Sequence, residues 1–74
     1  MLASPESSFD GLSPRELQVL EMTSHGFTNT QIAGQLDVTV HAVKFHLGSI
    51  YRKLGVANRT EAAVAYLQNK GNSH

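Results

Sequence analysis

The chain has 74 residues, no cysteine and equal numbers of acidic and basic residues. This length fits one domain, and the lack of cysteine excludes disulfides and cysteine-ligated metal sites. No stretch resembles a signal peptide or approaches the roughly 20 apolar residues of a membrane span, so a cytoplasmic location is expected.

Charge is distributed unevenly along the chain. Up to residue 37, one basic residue stands against five acidic ones, a net charge of −4. From residue 38 onward, five basic residues oppose Glu61 alone, a net charge of +4. Such a chain can present a basic face without being basic overall. Ordinary surface scatter explains the charge counts equally well.

The first eleven residues show no helical or strand period and are interrupted by Pro5. This composition predicts a flexible leader or interdomain linker over 1–11. Phe9 is expected to attach the end of that leader to the domain that follows, which is predicted to span 12–71. Residues 72–74 are expected to form a short tail.

The first helix is predicted near 14–24. Ser13 and Glu16 have the spacing of a capping box, and Pro14 occupies the first helical position. Gly26 is expected to supply a left-handed cap at the end of this helix. The capping box is a sufficient explanation for Glu16, so this carboxylate is not needed for chemistry.

A second capping box, Thr28 with Gln31, opens a short helix predicted near 29–36. A tight turn follows, in which Asp37 tolerates a left-handed backbone, although glycine would adopt it at a lower free energy. Thr39 is expected to cap the next helix.

The helix predicted near 40–54 has two stripes at a period of about 100° per residue. One is an apolar seam of Val43, Leu47, Ile50 and Leu54. Nearly opposite lies a row that contains His41, Lys44, Phe45, Gly48 and Arg52. No acidic residue occurs anywhere from Val38 to Thr60. An acid-free basic face opposite an apolar seam is suited to lie against an anionic partner.

Gly55 is expected to end this long helix, and Asn58 with Glu61 forms a third capping sequence before a helix near 59–69. No strand pattern occurs, so the predicted fold is all-α with four helices. On the last helix, a mildly apolar surface is either an ordinary exposed surface or a symmetric dimer patch, formed by Val64, Ala65 and Gln68.

Three residues in the middle of the chain have the spacing of a helix-turn-helix unit. The small side chain of Ala33 permits two helices to cross closely, Asp37 lies in the turn, and Val43 anchors the second helix on the first. In this motif the second helix enters the DNA major groove.

From Leu12 to about Gly71 the chain resembles the LuxR/GerE-type helix-turn-helix domain of bacterial transcription regulators. The matching segments, in order, are LSPRELQVL, GFTNTQIAGQL, TVHAVKFHLGSIYRKLGV and NRTEAAVAYL. The resemblance implies a C-terminal effector domain of response regulators and acyl-homoserine-lactone sensors, which sometimes stands alone. It also implies that two copies of the domain pair through the fourth helix and bind double-stranded DNA as a dimer.

Carried over by position, the resemblance implies that three residues face base edges, and the helical wheel selects the same three: His41, Lys44 and Phe45. It places a second set near phosphates: Thr28, Asn29, Thr39, Ser49, Lys53 and Arg59. We add Arg52 to the phosphate contacts because it belongs to the basic row. Similar proteins often carry other side chains at His41, Ala42, Phe45 and Gly48, so the target sequence does not follow from the resemblance.

Two of these residues, Lys44 and Phe45, also have a simpler interpretation. Lys44 is either a base or phosphate contact or a solvated lysine, and Phe45 either packs on a thymine methyl group or is a surface aromatic without a role. His41 is expected to donate to a base or a phosphate. His46 lies nearer the seam and is expected to be half-buried, and its spacing from His41 does not favour a metal pair.

The leading hypothesis is sequence-specific DNA binding by a transcription regulator, with no cofactor and no metal. The alternative is a protein-interaction module that docks RNA polymerase or another regulator domain through the same helices. A domain similar to sigma-factor region four would combine the two functions. An enzyme is not expected, since no nucleophile or acid-base constellation occurs.

Overall fold

The computed structural model describes residues 9 and 11–71. It contains four helices, α1 (Pro14–Ser24), α2 (Asn29–Leu36), α3 (Val40–Leu54) and α4 (Arg59–Gly71), and the described residues include no strand. The all-α prediction is confirmed, although α4 continues to Gly71 instead of ending near residue 69. Apart from Phe9 and Gly11, the predicted leader lies outside the described residues, as does the predicted tail.

The first two helices begin with the capping boxes that the sequence predicts. The Ser13 hydroxyl accepts from the Glu16 backbone N–H at 3.1 Å, and the Glu16 carboxylate accepts from the Ser13 N–H at 2.9 Å. Thr28 and Gln31 make the same reciprocal pair, also at 3.1 and 2.9 Å. Each box therefore satisfies two backbone donors that the start of a helix leaves without a partner.

The starts of the other two helices are capped by a single side chain each. Thr39 accepts from the Ala42 N–H at 3.0 Å, and Asn58 Oδ1 accepts from the Glu61 N–H at 2.9 Å. The Glu61 carboxylate accepts from the Ala57 N–H at 2.7 Å instead of from the cap residue itself. The third capping sequence is thus present in an altered form.

Gly26 and Asp37 adopt the left-handed backbone that the sequence predicts, and Gly55, predicted to end the long helix, adopts it as well. Gly26 and Gly55 have φ values of +88° and +70°, and Asp37 has a φ of +57°. Asp37 accepts this conformation at the C-terminus of α2, where its N–H donates to the Ala33 carbonyl. The turn reverses the chain so that α3 packs against α2, as a helix-turn-helix unit requires.

The core is built from α1, α2, α3 and α4 together with Leu12. Its largest fully buried side chains are Leu20, Ile32, Ile50, Val19 and Val43. On α3, Val43, Leu47 and Ile50 are buried and Leu54 is half-buried, so the predicted apolar seam faces the core. The rings of Phe9 and Tyr66 stack with centroids 5.8 Å apart, so Phe9 packs against α4 of the domain to which it was expected to attach.

Across residues 9 and 11–71, no helix combines the length and the apolar character that a membrane crossing needs.

Candidate nucleic-acid interface

The face of α3 opposite the core carries exposed polar and aromatic side chains. His41, Lys44 and Arg52 are exposed, and Gly48 between them is half-buried. Phe45 is 67% exposed, although a large aromatic side chain normally seeks the core. We call these five residues the outer face of α3. The outer face lies on the side of α3 nearly opposite the apolar seam, as the helical period predicts.

Phe45 has one aromatic neighbour, His46. Their ring centroids lie 6.0 Å apart with the ring planes at 67°, an edge-on contact. His46 is half-buried, as the sequence predicts. Most of the Phe45 side chain stays open to solvent despite this contact.

The electrostatic character of the outer face comes from uncompensated cations. Among the residues that the structure describes, neither Lys44 nor Arg52 has an ion-pair partner. The ion pair that does form on α3 joins Lys53 to Glu16. An anion that approaches the outer face therefore meets positive charge without a competing carboxylate.

Glu16 does more than cap α1. Its side chain is buried, with the residue 6% exposed, and it accepts a hydrogen bond from the Ser49 hydroxyl at 2.7 Å and from the Lys53 ammonium at 2.9 Å. With the Ser13 N–H it has three donors. The network joins the start of α1 to the second half of α3 and so helps to set the orientation of α3.

The same donors control the charge of Glu16. Burial alone would raise the pKa of this carboxyl group, because a low-dielectric site disfavours the ionised form. The hydrogen bonds from Ser49, Ser13 and Lys53, together with the positive charge of Lys53, outweigh burial and lower the pKa from 4.5 to about 2. Glu16 is therefore ionised throughout the neutral range.

The resemblance placed Ser49 near a phosphate. The Ser49 side chain is buried, and its hydroxyl donates its single hydrogen to Glu16. In this arrangement that hydrogen is not available to a phosphate. Lys53 remains at the surface, with 43% of its side chain exposed, but Glu16 partly neutralises its charge.

Arg59 links the first residues of two helices. Its guanidinium donates to the Asn29 side-chain oxygen at 2.7 Å and to the Phe27 backbone carbonyl. Arg59 and Asn29 were both expected near phosphates, yet the structure brings them into contact with each other. The partners are 30 residues apart along the chain, and no local pattern could have revealed the pair.

Thr28 and Thr39 are exposed at the starts of α2 and α3. As cap residues, each hydroxyl uses an oxygen lone pair to accept a backbone N–H. A hydroxyl also has one hydrogen to donate, and capping leaves that hydrogen available. Both residues can therefore serve as caps and still donate to an anion.

The predicted dimer patch lies on the surface of α4. Val64 is 45% exposed, Gln68 is exposed and Ala65 is half-buried. Leu67, one residue from Gln68, is 52% exposed, so α4 presents two large apolar side chains to solvent.

In the described part of the chain, no group of three or more His, Cys, Asp or Glu side chains is arranged to hold a metal ion.

The fold is therefore a four-helix domain with a helix-turn-helix unit and an acid-free outer face on the second helix of that unit. The GerE family model, described as bacterial regulatory proteins of the luxR family, matches residues 10–66. The chain belongs to the LuxR family of bacterial regulatory proteins.

Two kinds of curated relative illustrate this membership. The chain is similar to the nitrate/nitrite response regulator protein NarP of Escherichia coli, at 38% identity over 96% of this chain and 33% of NarP. It is also similar to the transcriptional regulator MalT of Klebsiella pneumoniae, at 49% identity over 69% of this chain and 6% of MalT. The chain thus spans a third or less of these relatives. No solved structure matches it significantly.

Proposed function

We propose that this domain binds double-stranded DNA sequence-specifically within a bacterial transcription regulator that works in the cytoplasm, with α3 in the major groove. The observation that carries the proposal is the outer face of α3. It places exposed Lys44, Phe45 and Arg52 on one side of a helix whose other side is anchored in the core. A helix held in this way can enter the groove as a rigid body.

Three side chains are proposed to read bases. Lys44 donates to guanine O6 and N7, the acceptors that guanine displays in the major groove. Phe45 packs on a thymine methyl group, the apolar feature of that groove. His41 donates to a base or to a phosphate nearby. No carboxylate on α3 opposes these contacts.

A second group is proposed to contact phosphates, which supply much of the affinity of such complexes and make it fall with salt. Arg52 contributes an unpaired charge, and Lys53 a charge that Glu16 reduces. Thr28 and Thr39 contribute their hydroxyl hydrogens. Asn29 and Arg59, which are hydrogen-bonded to each other, complete this group.

We further propose that two copies pair through the patch of Val64, Ala65 and Gln68. Two exposed apolar side chains on α4, Val64 and Leu67, support a contact at this surface. Two-fold symmetry would then require inverted half-sites roughly one DNA turn apart. Sedimentation of the domain with and without a duplex carrying two half-sites tests this point, and one copy per two-site duplex would contradict it.

Selection of binding sites from random duplexes, repeated at two salt concentrations, tests the proposed function. The expected result is an enriched half-site whose affinity falls steeply as salt rises. If no sequence is enriched and no duplex binds at low salt, the proposal is wrong.

Phe45→Ala tests direct readout. We expect specific affinity to fall by about fivefold or more, because loss of an apolar contact to a thymine methyl removes roughly 1 kcal/mol or more, while non-specific affinity stays nearly unchanged. Replacing the contacted thymine by deoxyuridine removes the methyl group and should weaken the wild-type domain but not Phe45→Ala. Equal loss on every duplex would contradict this role.

Gly48→Ala tests whether the α3 backbone approaches DNA closely. An added Cβ would lie 3.7 Å from an Arg52 nitrogen, an ordinary contact, so the variant should fold. Helix propensity predicts a gain of up to about 1 kcal/mol in the free energy of unfolding. Gly34→Ala is the matched control, since its Cβ would meet nothing within 4 Å.

Both variants should be stabilised, but only Gly48→Ala should weaken DNA binding. Unfolding in urea and titration of the selected duplex measure the two effects. Unchanged binding of Gly48→Ala would show that this glycine is not needed for approach to the groove.

A further inference from the structure

The contact between Arg59 and Asn29 has a consequence for the proposed interface. Arg59 is half-buried, and neither of the hydrogen-bond acceptors of its guanidinium is charged: one is Asn29 Oδ1 at 2.7 Å and the other is the Phe27 carbonyl. The two bonds hold the first residue of α4 against the start of α2.

This contact determines which way the Asn29 amide points. A side-chain amide carries an acceptor oxygen on one side and a donor NH2 group on the other. Since Arg59 has only donors to offer, it engages the oxygen, and the NH2 group must point away from it. Within residues 9 and 11–71, no protein acceptor takes the hydrogens of that NH2 group.

The orientation matters for binding an anion. An amide that rotates freely presents its oxygen as readily as its NH2 group, and the oxygen repels a phosphate. With the oxygen held by Arg59, Asn29 presents only hydrogen-bond donors outward. Exposed Thr28, whose hydroxyl hydrogen is also available, stands directly before it at the start of α2.

We infer that Arg59 is a positioning residue that orients the Asn29 amide so that its NH2 group donates to a DNA phosphate. This inference rests on the proposed function and replaces the expectation that Arg59 itself contacts the backbone. Neither acceptor is negatively charged, so no ion pair offsets the charge of the guanidinium there, but its donors facing α2 are already used.

The key comparison is Asn29→Asp against Gln31→Glu. The first change keeps an acceptor toward Arg59, now charged, and replaces the outward NH2 group by a carboxylate oxygen. Its thermal stability should not fall, whereas its affinity for the selected duplex should fall by about tenfold or more. Gln31→Glu adds the same charge in the same helical turn and keeps a capping acceptor for Thr28, so its loss should stay within about threefold.

A second comparison separates positioning from direct contact. Arg59→Lys keeps the positive charge but lacks the planar fork that reaches both acceptors. The positioning role predicts a loss of affinity similar to that of Asn29→Ala, an unchanged salt slope, and no added loss in the double variant. A direct phosphate contact predicts that lysine substitutes well, since lysine binds phosphate as a point charge.

Fluorescence anisotropy with the selected duplex at two salt concentrations measures affinity and slope, and circular dichroism checks the fold. Equal losses for Asn29→Asp and Gln31→Glu, or additive losses in the double variant, would overturn the positioning role and leave the proposed function standing. If the wild-type domain binds no duplex at low salt, both proposals are wrong.

Discussion

Glu16→Gln is expected to lower the free energy of unfolding by about 2–3 kcal/mol, a large share of the stability of a small domain. The variant retains an amide oxygen for capping but loses the charge that three donors surround. Those donors are the Ser13 N–H, the Ser49 hydroxyl and the Lys53 ammonium. The Lys53 side chain is partly exposed, so water can solvate its ammonium group in the variant, which limits the loss of stability.

Glu21→Gln is the matched control, because Glu21 lies on the same helix and is exposed. Its replacement should change the free energy of unfolding by less than about 0.5 kcal/mol. Urea unfolding followed by circular dichroism measures both variants. Similar values for the two would mean that the buried network does not stabilise the fold.

The same carboxyl group predicts a pH dependence. Its pKa is about 2 in the folded chain, below the ordinary value of 4.5, so ionised Glu16 stabilises the folded state. That contribution is fully present above pH 4.5 and is lost as the pH falls towards 2. Solvent screening at Lys53 reduces it to the order of 2 kcal/mol. The difference in stability between wild type and Glu16→Gln should therefore shrink between pH 6 and pH 2.5, and a constant difference would contradict the assignment.

Lys44→Ala is expected to lower affinity for the selected duplex by about 10- to 100-fold. It removes an unpaired charge together with a proposed guanine contact, which is worth about 1–3 kcal/mol of discrimination. If Lys44 also neutralises a backbone phosphate, the slope of log affinity against log salt concentration should decrease in magnitude by roughly 1. Lys44 is exposed, so the stability of the fold should change little.

Lys44→Arg provides the control, because arginine keeps the charge and donates to the same two guanine atoms. It should retain most of the specific affinity. The variant also distinguishes DNA binding from docking of a protein partner. Normal duplex binding by Lys44→Ala, combined with lost binding to RNA polymerase, would favour the interaction module over the DNA reader.

Local sequence patterns predicted most of the fold correctly. A capping box needs residues only three positions apart, so the pairs Ser13 with Glu16 and Thr28 with Gln31 follow from the sequence itself. The left-handed backbone of Asp37 and Gly55 is a property of single positions in turns. The alternation of apolar and polar residues on α3 depends on the helical period alone, which is why the outer face could be predicted.

Polar side chains were predicted less well when their partners lay far along the chain. Glu16 had a complete local explanation as a cap, yet it also accepts bonds from residues 33 and 37 positions away. The resemblance placed Ser49 near a phosphate, but its side chain is buried and donates to Glu16. Small and charged residues have no period that reveals a distant partner, so position along a helix did not distinguish these roles.

The sequence by itself determined where the four helices begin, where the first three end and which side of α3 faces solvent, because those properties arise from backbone hydrogen bonding and side-chain period over a few residues. Only the tertiary structure decided that Glu16 gathers Ser49 and Lys53, and that Arg59 holds Asn29. These contacts form where separate helices cross, and the crossing depends on how the whole core packs.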